Sequence, residues 1–124
     1  MWGKNSLIFI LLACIALPTY LALFHPGFFS MHDDAQVQRT YEVQKAIHDG
    51  MFPVRWSQDL GYGYGYPMFN FYAPFIYYLG TVFYSLGFSA IISTKIVFFI
   101  GIILSGFGMF LLARKLWREG RRPH

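Results

Sequence analysis

Two stretches of eighteen residues without a formal charge, Leu7–Phe24 and Ile96–Ala113, constrain this chain more than anything else in it. At about 1.5 Å of rise per residue, each makes a helix that just crosses a hydrocarbon core of roughly 30 Å. Composition points the same way. Of the 124 residues, 56% are hydrophobic, 21% aromatic and only 13% charged, where a soluble domain carries about 25% charged residues. That apolar content excludes a disordered chain. The single cysteine, Cys14, excludes a disulfide scaffold and a thiolate zinc site. The expected class is an all-α integral membrane protein.

A cleaved signal peptide competes for the first stretch, because Lys4 precedes it. The stretch is long for a signal core, however, and His25-Pro26-Gly27-Phe28-Phe29 is too bulky for a cleavage site. The expectation is an uncleaved transmembrane helix over 7–24, with Pro18 as a tolerated kink and Cys14 as an apolar filler. A second transmembrane helix is expected over 91–113, followed by a basic tail over 114–124. Arg114, Lys115, Arg118, Arg121 and Arg122 crowd that tail against one acid, Glu119. Cytoplasmic flanks are enriched in Lys and Arg, so both termini are expected inside. The loop 25–67 holds five acids against three bases and is expected outside.

Two cytoplasmic termini require an even number of spans. The uncharged segment 68–88 is then an aromatic helix lying in the outer interface, where tyrosines can bury a ring and keep the hydroxyl wet. The alternative is a short third span. On the last span Gly101, Ser105 and Gly108 fall at i, i+4 and i+7, a spacing that lets another helix approach closely. Two or three helices make a poor bundle, so further helices from a partner or a longer parent chain are expected. The net charge of +4 belongs beside a span and anionic lipid, which argues against nucleic acid as a partner.

A forty-residue loop between spans is too long for a mere connector. Its first half reads as an amphipathic helix over 34–48, capped by Ser30 or Asp33 with Gln36 in capping-box spacing, and ended by Gly50. Val37, Tyr41, Val43 and Ile47 share its apolar face, and Gln38, Arg39, Glu42 and Lys45 the opposite one. Asp33 and Asp34 open it. An adjacent acid pair outside a span can bind a divalent cation such as Mg or Mn, or take a proton from an acceptor hydroxyl. It can also simply cap the helix and complement its dipole. His32 sits beside the pair but is consecutive with it, so the three side chains diverge as ligands. The Gly61-Tyr62-Gly63-Tyr64-Gly65-Tyr66 alternation lacks the ending of a phosphate-binding loop. Tyr64 and Tyr66 offer flat faces either to a sugar or lipid substrate or to lipid headgroups.

Taken in order, His32-Asp33-Asp34, Arg39 and Tyr41 on a helix, Gly50-Met51-Phe52-Pro53 at its end, the Tyr72-Ala73-Pro74-Phe75-Ile76-Tyr77-Tyr78 block and the basic Ala113-Arg114-Lys115-Leu116 resemble the N-terminal part of the polytopic GT-C glycosyltransferases. The nearest flavour is the bacterial membrane proteins labelled 6-pyruvoyl-tetrahydropterin synthase-related, although nothing in the chain suggests pterin chemistry. The resemblance implies a catalytic-loop module, partial with respect to a complete enzyme, that uses a polyprenyl-phosphate-linked sugar at the outer face of the bacterial inner membrane. It implies Asp33, then Asp34, as the catalytic acid, and a divalent cation as a possible cofactor. Arg39 and Arg55 would contact a lipid phosphate, since guanidinium matches phosphate geometry; the alternative for both is surface snorkelling. Such enzymes carry about eight or more spans, so this chain would not act alone. The competing reading is a non-enzymatic small membrane protein that packs against a larger complex through Gly101, Ser105 and Gly108.

Overall fold

A computed structural model describes residues 2–29 and 35–119. Among the described residues the fold is all-helical. Four α-helices, α1 (Trp2–Leu23), α2 (Gln36–His48), α3 (Phe75–Ser85) and α4 (Ala90–Glu119), are joined by loops and one 3-10 turn at Met68–Asn70. The backbone pairing of Ser57 with Tyr66 is an isolated bridge, not a strand. The chain divides into two compact units, Met1–Pro26 with Phe98–His124, and Gly27–Val97.

In the first unit, α1 runs through Pro18 without a break, as expected of a proline inside an apolar helix. Its side chains leave large apolar surface uncovered: Leu11, Ile15, Leu17 and Leu21 are all exposed. Tyr20 meets Phe99 edge to face, with ring centroids 5.3 Å apart. α4 is long and apolar enough to cross a membrane over Ala90–Arg118, and hardly any of it is covered by the chain. The described apolar part of α1, Ile10–Leu23, is shorter. A helix that is apolar all round and uncovered needs an apolar surrounding. The helical conformation of α4 carries on through Arg114, Lys115 and Arg118, so the basic tail begins as helix.

In the second unit, the expected helix in the loop is present as α2. Its N-cap residue is Ala35, with no side-chain cap, and Gln36 is its first residue rather than the third of a capping box; Ser30 and Asp33 lie outside the described residues. Its end is the one anticipated. Gly50, at φ +84, follows the C-cap Asp49. Its N–H donates to the Ile47 carbonyl at 3.0 Å, and that of Met51 donates to the Ala46 carbonyl at 2.8 Å, the paired bonds of a Schellman motif. α3 closes in the same way at Gly87, whose N–H donates to Tyr84, while that of Phe88 donates to Phe83. Ser89 then caps α4, its Oγ accepting from the Ile92 N–H at 3.3 Å.

α3 has eleven residues, about 16 Å of helix, and is too short to cross a bilayer. The aromatic segment 68–88 is thus a 3-10 turn followed by a short helix.

The buried face of α2 differs from the apolar face read in the sequence. Arg39, Thr40, Glu42, Val43 and Ala46 are buried, while Tyr41 is 38% exposed. Two contacts turn the helix. Gly80 of α3 approaches so closely that a Cβ there would lie 2.9 Å from Thr40 Cγ2, and Thr40 Oγ1 sits 3.2 Å from Thr94 Oγ1 of α4. Val43 and Ala46 then join Val54, Met68, Phe69 and Tyr77 in the core. Arg39 and Glu42 stay on the inner side because each finds partners there.

Candidate functional site

Arg39 is the expected site residue that the structure places most definitely. It lies on α2, only 8% exposed. Its guanidinium carbon stands 4.5 Å from the centre of the Tyr72 ring, and Nη1 donates to Tyr77 Oη at 3.4 Å. Tyr77 Oη in turn donates to Gln36 Oε1 at 2.9 Å. Arg39 therefore does not snorkel at a surface. It is stacked on an aromatic face, an arrangement that holds a planar cation in one orientation. α2 supplies Arg39 and Gln36, the segment after the 3-10 turn supplies Tyr72, and α3 supplies Tyr77. Phe69 packs edge to face on Tyr77 at 5.7 Å and fixes that ring from behind.

Three residues further along α2, and so on the same helix face, Glu42 is 1% exposed. Its Oε1 accepts from Gln38 Nε2 at 2.9 Å, and its Oε2 accepts from the Asp59 N–H at 3.2 Å. Lys45 Nζ donates to both oxygens of Asp59 at 2.7 Å, and that hydrogen bond raises the Lys45 ammonium above its ordinary value. Gln58 Nε2 donates to Asp49 Oδ2 at 3.2 Å. These bonds tie the start of the tyrosine loop to α2. The loop is closed by reciprocal backbone bonds of 2.9 Å between Ser57 and Tyr66. Trp56 packs against Gly65, where a Cβ would fall 2.6 Å from its Cε2.

The remaining expected residues separate into three groups. Tyr64 and Tyr66 are on this loop, Tyr64 at 89% exposure and Tyr66 about half exposed. Arg55 is exposed, beside Val54, whose buried N–H donates to Tyr78 Oη at 2.7 Å. Asp33 and Asp34 lie outside the described residues. Among the described residues no group of three or more His, Cys, Asp or Glu is placed to hold a metal ion.

Glu42, Tyr72, Tyr77 and Gln36 were not singled out as site residues by sequence. The Gln38–Glu42 spacing is readable as an i, i+4 pair. The reach of Glu42 to Asp59, and of Arg39 to α3, depends on how the loop folds back, and no local pattern encodes it. The described part of the arrangement presents an oriented guanidinium at Arg39 and, one helical turn further along α2, a tyrosine loop tied to Glu42. No protein-family model matches this chain, and neither a curated protein nor a solved structure is similar to it.

Proposed function

We propose that this chain is the outer catalytic-loop module of a membrane glycosyltransferase of GT-C type, using a polyprenyl-phosphate-linked sugar. In this reading α1 and α4 span the bacterial inner membrane, both termini are cytoplasmic, and α3 lies in the outer interface. Asp33 or Asp34 takes the proton from an acceptor hydroxyl. The oxygen attacks the anomeric carbon, the bond from that carbon to the phosphate breaks, and polyprenyl phosphate leaves with its charge set against Arg39. Donor-binding helices come from a partner or parent chain. The observation that carries the proposal is Arg39, an oriented guanidinium stacked on Tyr72 close after the acid pair, in a unit continuous with a helix able to span a membrane.

The test uses the full chain in nanodiscs and radiolabelled polyprenyl phosphate, with Arg39→Lys as the conservative variant. Arg39→Lys is expected to weaken binding about tenfold, the scale of one lost charge-assisted bidentate contact. In the complete assembly, Asp33→Asn or Asp34→Asn is expected to abolish sugar transfer and leave binding intact. Undiminished transfer in both aspartate variants overturns the proposal.

One observation favours the second reading, a packing subunit. A Cβ at Gly101 or Gly108 would meet nothing within 4 Å, so that face of α4 has room for another helix. Under this reading Gly101→Leu and Gly108→Leu abolish co-purification of the partner, and Asp33→Asn is silent.

A further inference from the structure

The tip of the tyrosine loop carries rings that do nothing for the fold. Tyr62 is 102% exposed, so no part of its side chain is covered by the chain. Its backbone is nevertheless held at φ +59, the left-handed region, between Gly61, Gly63 and Gly65 at φ +65, +85 and +79. A non-glycine residue there is strained, and glycine would relieve that strain without losing a contact. Tyr64 is exposed almost as fully. The base of the same loop is tied down through Glu42, Lys45, the Ser57–Tyr66 pair and Trp56 on Gly65. The chain thus builds a stiff stalk and places two uncovered phenols at its end.

The charge pattern says what should meet them. From Leu60 to Thr94 there is no Asp, Glu, Lys, Arg or His. Every formal charge on the described part of the unit before Lys95 lies between Arg39 and Asp59. Yet Phe71, Phe75, Ile76, Val82 and Leu86, in the charge-free part, are all exposed. A water-facing surface of that extent normally mixes in charges of both signs. Tyrosines and apolar side chains without charge are what a headgroup boundary takes up. The same unit contains the first turns of α4, Ala90–Val97, and that helix continues as the apolar segment able to span a bilayer.

We infer that Tyr62 and Tyr64 insert into the lipid headgroup layer and give the unit a membrane attachment at the loop tip, in addition to α4 and α3. This rests on the reading of α4 as a span but not on any sugar chemistry. The attachment would hold the Glu42-clamped loop, and with it the Arg39 face of α2, at a fixed depth near a lipid-borne phosphate.

The experiment takes the full chain in a Cys14→Ser background, reconstituted in phosphatidylcholine vesicles, with spin labels at Tyr62→Cys, Tyr64→Cys and, as a reference at an exposed position on α2, His48→Cys. Collision of each label with oxygen, which concentrates in lipid, and with a water-soluble nickel chelate is measured by power saturation. The expected result is nickel accessibility several-fold lower at 62 and 64 than at 48, with oxygen accessibility higher. Equal nickel accessibility at all three positions overturns the inference. So does shielding that appears only on adding a polyprenyl-phosphate sugar, which makes the loop a substrate platform, or only with a protein partner, which makes it an interface. With Trp2→Phe and Trp117→Phe in the background, Trp56 emission at an unchanged wavelength in each variant verifies that the base of the loop is folded. Because no transfer reaction is read, failure of the glycosyltransferase reading leaves this result standing, and the converse also holds.

Discussion

Gly65 and Gly63 make a matched pair for testing how the tyrosine loop is held. Both have positive φ, +79 and +85, so an alanine at either position adopts a left-handed backbone at a cost of about 1–2 kcal/mol. Only at Gly65 does the new methyl also meet a wall, because it would lie 2.6 Å from Trp56 Cε2 and 2.7 Å from Cζ2, while at Gly63 nothing lies within 4 Å. Forcing a methylene-sized group into a filled site costs typically a further ~1–3 kcal/mol. Gly65→Ala is therefore expected to lose about 2–5 kcal/mol and Gly63→Ala only the backbone part. The difference isolates the packing of Trp56 on Gly65. The assay is urea unfolding in nonionic micelles followed by Trp56 emission, with Trp2→Phe and Trp117→Phe removing the other two tryptophans. Equal losses in the two alanine variants would mean that the indole does not seat on Gly65, and the stiff stalk would have to be abandoned.

Two further outcomes follow from the clamp. Glu42→Leu strips the Asp59 N–H of its acceptor and should cost about 1–3 kcal/mol; hydrogen exchange at Asp59 should accelerate, less so in Glu42→Gln, and unchanged exchange in the leucine variant would show that the carboxylate does not hold the loop. Lys45 is raised by its hydrogen bond to Asp59 above its ordinary 10.5, so its contribution is complete below about pH 10.5 and is lost as the pH climbs through the folded value. The urea midpoints of wild type and Lys45→Met should accordingly differ most below that pH and converge above it, with a small gap throughout because both partners are partly exposed.

What the sequence disclosed follows from the range of the interactions involved. The helix end at Gly50 was legible because a left-handed glycine after a helical run is a local signal, and the structure completes it with two local hydrogen bonds. The helical class and the spanning length of α4 were legible from an unbroken apolar run. The inner face of α2 was not. Periodicity assigned Tyr41 to that face and Arg39 and Glu42 to the other, since it weighs only hydrophobicity. Which face turns inward was decided by Gly80 against Thr40 and by Asp59 reaching Glu42, contacts 40 and 17 positions apart in the chain. Arg39 was a candidate only through the family resemblance, and its seat on Tyr72 and Tyr77 required α3 to fold back across α2.

The interior of the Gly27–Val97 unit leads to one last expectation. Its buried apolar core comprises Val43, Ala46, Val54, Met68, Phe69 and Tyr77, and around it lie buried Arg39, Thr40, Glu42, Ser57 and Thr81. That is a thin core for a unit of this size, and units so small generally need a staple to stay folded. A disulfide cannot serve, because the single cysteine, Cys14, is in the other unit. The uncovered surface of Phe71, Phe75, Val82 and Leu86 is the reserve that a bilayer can use: lipid against those side chains removes apolar area from water as a second protein layer would. The excised 27–97 polypeptide should therefore unfold without a cooperative transition in plain buffer and with one in zwitterionic micelles, read by near-ultraviolet circular dichroism of its tyrosines and Trp56. A sharp transition of equal midpoint in both media would show that the core is sufficient by itself, and the uncovered aromatic surface would then need another explanation.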